Sequence, residues 1–117
     1  MRLRAEIWVK AYLRRCAAAG KSAVVVRHGD DDAGAIYIRV NRLDGTSLLF
    51  GPSPAGLGIV AEDRRWTPRL SPAGNPDAEV DALLEREARF DPDLWIVEIE
   101  TRNGEHHLDG WISDTPA

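Results

Sequence analysis

The sequence predicts an α+β domain, with a mostly antiparallel sheet of about five to six strands and two helices packed on it. Three observations predict this. In two separate stretches apolar residues recur at spacings of three and four, as on a helix with one buried face. Other stretches alternate apolar and polar residues with a period of two. Two dipeptides, Asp44-Gly45 and Asn103-Gly104, follow alternating stretches and suit tight hairpin turns. The expected order is helix, strands, helix, hairpin, in a single domain spanning residues 1–117.

The first helix is expected from about Leu3 to Ala19. Ala5, Trp8, Val9, Tyr12, Leu13 and Cys16 share one face, with Glu6, Lys10 and Arg14 opposite, and Gly20 stops it. Ser22 to Arg27 reads as a short strand. Its continuous apolar run, Ala23-Val24-Val25-Val26, predicts a central strand buried on both faces. Next, Ile36, Ile38 and Val40 alternate with Tyr37, Arg39 and Asn41. A two-residue turn at Asp44-Gly45 would pair Leu43 with Thr46, Val40 with Leu49 and Arg39 with Phe50.

Residues 51–58, rich in glycine and proline, read as a loop, with Leu57, Ile59 and Val60 as a short apolar plug. Arg64 to Arg69 reads as a further short strand, and Pro68 assigns it to an edge or a strand end. Asn75-Pro76-Asp77 opens the second helix, with Asn75 as the capping residue. Its apolar stripe of Val80, Leu83, Leu84 and Ala88 is narrow, and it should end near Arg89 or Phe90, before Asp91-Pro92. In the last clear strand, Leu94 to Thr101, Trp95, Val97 and Ile99 share one face, with Glu98 and Glu100 on the other. A turn at Asn103-Gly104 would then set Ile99 opposite Leu108 and Glu100 opposite His107.

The net charge is -4, which argues against nucleic acid as a general partner. The charge is uneven. Residues 1–69 carry 12 Lys/Arg against 7 Asp/Glu, and residues 70–117 carry 3 against 12. Opposite ends of this kind attract each other within one fold or between molecules. The one cysteine, Cys16, allows no internal disulfide. Lys10, Arg14 and Arg15 interrupt any secretory leader, and no apolar run is long enough to span a membrane. The expected location is therefore cytoplasmic, with no membrane partner.

Three segments carry a family resemblance. The first is Gly29-Asp30 followed by Ala33-Gly34-Ala35 and Val40-Asn41-Arg42-Leu43-Asp44-Gly45-Thr46. The second is Glu6-Ile7-Trp8-Val9 with Leu13-Arg14-Arg15. The third is Glu87-Ala88-Arg89-Phe90-Asp91-Pro92-Asp93-Leu94-Trp95-Ile96-Val97-Glu98. Together they resemble an alphaproteobacterial family, domain of unknown function 1491, over most of the chain except Pro52 to Asn75. The resemblance implies a small, single-domain, cytoplasmic bacterial protein. It implies no activity and carries over no catalytic residue.

The candidate chemistry is sparse. His28 with Asp30, Asp31 and Asp32 offers hard metal ligands, and His106-His107 offers two imidazoles. Acidic turns are ordinarily solvated, however, and adjacent histidines on a strand point to opposite faces. No metal or cofactor is therefore expected. Cys16, on an apolar helix face, behaves as a small hydrophobe. No Gly-x-Ser-x-Gly elbow is present, and the glycine-rich stretch 51–58 lacks the Lys-Ser/Thr ending of a phosphate loop. No catalytic residue is assigned.

The candidate binding residues are Arg39, Asn41, Arg42, Trp66, Glu100, His107 and Trp111. The first three are polar residues that the predicted hairpin does not require. Glu100 and His107 form a carboxylate–imidazole pair in the predicted second hairpin. Arg64-Arg65-Trp66 joins charge to a stacking ring, and Trp66 and Trp111 are aromatics without an assigned core position. The expected function is a non-catalytic protein-interaction module, binding a protein partner or forming a homodimer. The alternative is a small-ligand or enzyme site near the hairpins, using Arg39, Arg42, Glu100 and His107.

Overall fold

A computed structural model describes residues 3–53 and 64–112. The elements run α1 (Ala5–Ala18), β1 (Ser22–Arg27), β2 (Ile36–Asn41), β3 (Thr46–Pro52), β4 (Trp66–Arg69), β5 (Asn75–Pro76), α2 (Asp77–Phe90) and β6 (Trp95–Glu100). The sheet order is β1-β6-β2-β3-β4, and β5 adds a short pairing to β3. β2 and β6 are parallel and the other pairings are antiparallel. This is the predicted mostly antiparallel α+β arrangement of six strands and two helices. No helix among the described residues is long and apolar enough to cross a membrane. The plug expected at Leu57, Ile59 and Val60 lies outside the described residues.

The period-two patterns place one helix on each face of the sheet. Ile36, Ile38 and Val40 of β2 and Trp95, Val97 and Ile99 of β6 pack with Trp8, Val9, Tyr12 and Cys16 of α1. Tyr37, Leu49, Leu94 and Ile96 pack with Val80, Leu83 and Leu84 of α2. Gly29 and Gly34 allow the chain to pass close to β6. A Cβ on either would lie within 2.4 Å of the Asp93 carbonyl oxygen, so the need is contact space and not turn geometry.

Four expectations are corrected. First, β1 lies at the edge of the sheet, where the apolar run predicts the centre. Val24, Val25 and Val26 are 53%, 37% and 58% exposed. β6 lies inside it, paired in parallel with β2 on one side and antiparallel with β1 on the other, and β2 takes the middle of the order.

Second, the hairpin register is one residue off. Arg39 pairs with Leu49 and Val40 with Leu48, and the Arg42 N–H donates to the Thr46 carbonyl at 3.1 Å. Three residues, Leu43, Asp44 and Gly45, make the turn because Leu43 itself takes a left-handed φ of 63°. Asn41 Oδ1 accepts the Leu43 N–H at 2.8 Å, and Asp44 Oδ1 accepts the Thr46 N–H at 2.9 Å.

Third, no second hairpin forms. With both edges of β6 occupied, residues 105–112 turn away and cross α1. The Tyr12 hydroxyl donates to the His106 carbonyl at 2.7 Å, and Arg15 donates to the carbonyls of His107 and Asp109 at 3.2 and 2.9 Å.

Fourth, Asn75 does not cap α2. Its Oδ1 accepts the Ser71 N–H at 2.9 Å, and its Nδ2 donates to the Ser71 and Ser47 carbonyls at 3.0 and 3.3 Å. It ties the preceding loop to β3. Pro76 precedes the first helical residue and makes no side-chain cap.

Candidate functional site

The outer edge of β1 is the most unusual surface of the fold. A sheet edge presents unpaired backbone donors and acceptors, and proteins usually guard it with charge, proline or irregularity. The opposite edge strand, β4, contains Pro68 and is bridged at Trp66 by Ile112. β1 has Lys21 and Arg27 at its ends and a bulge between Val25 and Arg27. Ser22 to Val25 stays in regular register with β6, and three consecutive valines lie exposed. No strand covers that edge among the described residues.

A cleft of about 340 Å³ opens beside this edge on the α2 face. It exists because the narrow apolar stripe of α2 covers only part of the sheet. Val26, Leu84, Ala88 and Ile96 give it an apolar lining, and Asp81, Glu85 and Glu98 line it with charge. Arg39 rises from β2 into the same region with its side chain only 11% exposed. It lies 3.3 Å from Asp77 and 3.7 Å from Glu98, and it hydrogen-bonds Asp81 and Ser47. Burial pushes the Arg39 pKa down, but the carboxylates of Asp81, Glu98 and Asp77 outweigh it and hold the pKa above its ordinary value. Arg39 is thus a satisfied cation that fastens α2 to the sheet. Arg27, on the cleft's other side, donates to the Pro92 carbonyl at 3.2 Å.

The remaining candidates stand elsewhere. Asn41 holds the hairpin turn. Arg42 donates to the Ala73 carbonyl at 3.1 Å. Glu100, at the end of β6, lines a second cleft of about 380 Å³ with Lys21, Ser22 and Arg102. His107 lies on the α1 side, 3.4 Å from Glu105 Oε2 but without hydrogen-bond alignment. Neither of these two clefts is lined by all of Arg39, Arg42, Glu100 and His107, and Glu100 does not pair with His107.

Trp66 and Trp111 do come together, inside the fold. The Trp66 ring stacks on Trp8 at 4.0 Å, and Trp111 meets Trp8 edge-on at 5.0 Å. Trp66 Nε1 donates to the buried Ile36 carbonyl at 2.9 Å. The Arg15 guanidinium covers the half-buried Trp111 at 3.8 Å. These rings close the α1 core.

The acidic turn is likewise structural. Asp30 Oδ2 accepts the N–H groups of Asp32 and Ala33, and Asp32 pairs with Arg4 at 2.7 Å. Asp31 accepts from His28 at 2.7 Å, a bond that lowers its pKa. No group of three or more His, Cys, Asp or Glu side chains suited to a metal occurs among the described residues.

Sequence reasoning missed Val24, Val26, Asp81 and Glu85 as site residues. The one available signal was the narrow stripe of α2, too narrow to cover a sheet face that a fully buried β1 would require.

Residues 3–109 match a family model described as "Protein of unknown function (DUF1491)". A crystal structure of a DUF1491 family protein from Caulobacter crescentus CB15 is 37% identical, with a TM-score of 0.78, over 97% of this chain and 100% of that one. A solution structure of a protein from A. tumefaciens is 43% identical, with a TM-score of 0.80, over 99% and 98%. An NMR structure of a DUF1491 family protein from C. crescentus CB15 is 38% identical, with a TM-score of 0.77, over 97% and 99%. No curated protein matches the chain.

Proposed function

Since the chain belongs to the DUF1491 family, whose description names no activity, we propose its function from its own geometry: a cytoplasmic, non-catalytic interaction module that accepts a further β-strand on β1. The observation that carries this reading is the edge position of three consecutive exposed valines. A left-open edge of this composition pairs with another strand, by main-chain hydrogen bonds that need no particular side chains. An apolar run that a folded chain leaves in water is also a surface that a partner stabilises by covering.

The polar candidates support an interaction role more than a catalytic one. Arg39, Asn41 and Arg42 are spent on fastening α2, a turn and a loop. A small-ligand site built from Arg39, Arg42, Glu100 and His107 has less support, because neither of the two clefts brings the four together. The buried Cys16 thiol suits a reducing compartment. Trp66, buried against Trp8, no longer argues for a partner surface; the valines take that place.

The test compares wild type with the Val24→Lys/Val26→Lys double variant. Binding to an affinity-purified partner, or self-association by light scattering, is expected in the wild type and lost in the variant, with urea unfolding unchanged. A variant that keeps every interaction of the wild type contradicts the proposal.

A further inference from the structure

Accepting the strand-addition reading, on which this inference rests, we propose that the strand taken up by β1 belongs to a different protein. Its apolar and basic side chains alternate, and the basic ones lie over the α2 face. A strand paired with β1 sends alternate side chains to either face of the sheet. On the α2 face they pass Val24, whose register partner is Glu98, and reach the mouth of the cleft lined by Val26, Leu84 and Ile96.

The charge there is mixed, with an acidic excess. Asp81, Glu85 and Glu98 line the cleft together with Arg27 and Arg39. Arg39 is shared among Asp77, Asp81 and Glu98, three carboxylates to one guanidinium. Arg27 donates to the Pro92 carbonyl, a neutral group, and so keeps its charge at the cleft. α2 as a whole carries five acids, Asp77, Glu79, Asp81, Glu85 and Glu87, against Arg86 and Arg89. With Asp77 beside Arg39, four carboxylates face two guanidiniums, and this excess favours an incoming cation over an incoming anion.

The same charges select against a second copy of this chain. Two copies of one edge pair antiparallel about a two-fold axis perpendicular to the sheet. That axis leaves both α2 helices on one face, acidic cleft toward acidic cleft.

The experiment titrates two blocked synthetic peptides of equal length into the isotopically labelled full chain. One alternates valine with arginine, the other valine with glutamate, and amide shifts report where each binds. The valine–arginine peptide is expected to shift Ser22 to Arg27 and the cleft-lining residues of α2. Glu85→Lys should weaken it by about tenfold or more, and Val24→Lys/Val26→Lys should abolish it, with unfolding midpoints confirming that both variants fold. Equal binding of the valine–glutamate peptide overturns the charge inference and leaves strand addition standing. Self-association through β1 with no peptide bound overturns the choice of a different protein, again leaving strand addition standing. Valine–arginine binding away from β1 overturns the inference. Failure of both peptides, in a chain that remains monomeric, counts against both the inference and the strand-addition reading.

Discussion

Trp66 and His106 both take places decided by segments distant in sequence. Trp66 has no periodic partner in its own stretch, because its partner is Trp8 across the fold, with Ile36 accepting its indole N–H. His106 sits on a segment whose path over α1 depends on which edges of β6 are already taken. There its Nδ1 accepts the Leu108 N–H at 2.8 Å, and its ring meets Phe50 edge-on at 5.1 Å. Burial, the largest cause, lowers its pKa from the ordinary 6.5; the neighbouring His107 adds to the shift and Asp109 opposes it. The folded chain therefore binds this proton less readily than the unfolded chain. The stability that neutral His106 contributes is complete above pH 6.5 and is lost as the pH falls through that value toward the lower folded pKa. Asn in its place offers an acceptor near the Nδ1 position but does not titrate. In urea unfolding, wild type should lose more stability than His106→Asn between about pH 7.5 and 5.5. Equal losses would contradict the role given to the imidazole.

Elements were legible wherever their cause is local. α1 and the alternation of β2 and β6 follow from spacing, the end of α2 follows from Asp91-Pro92, and the structure returns them within a few residues. Pairing was less legible because it is a competition between distant segments. The four apolar residues of β1 read as a buried centre, yet β1 pairs on one side only, with β6, which lies between it and the middle strand β2. The same competition removed the second hairpin. The first hairpin missed by one residue for a local reason, since Leu43 was read as extended and takes a left-handed turn position. A non-glycine residue there costs about 1–2 kcal/mol, and glycine gives back part of that in backbone entropy. Leu43 is an exposed side chain, so little burial is lost on removing it. Leu43→Gly should raise stability by about 0.5–1 kcal/mol in chemical denaturation. A net loss would mean that the leucine side chain supports the turn more than its backbone strains it.

At the scale of the whole molecule the uneven charge seen in the sequence becomes two faces. α1, with three bases to one acid, covers one side of the sheet, and α2, with five acids to two bases, covers the other. The sequence carried this asymmetry but not its geometry, and so could not say that the acidic side borders an open edge. The candidate site was illegible for that reason. It is built from an edge of β1 that no strand covers among the described residues, and such an edge has no sequence pattern. Amide hydrogen exchange across Ser22 to Arg27, with and without the valine–arginine peptide, shows whether β1 accepts a strand. In the free protein the outward-pointing amides of β1 should exchange fast while those bonded to β6 are protected. On binding, the outward amides should slow as a new ladder forms. Outward amides that keep their free-protein rates at peptide saturation would show that no strand is added and would contradict the account.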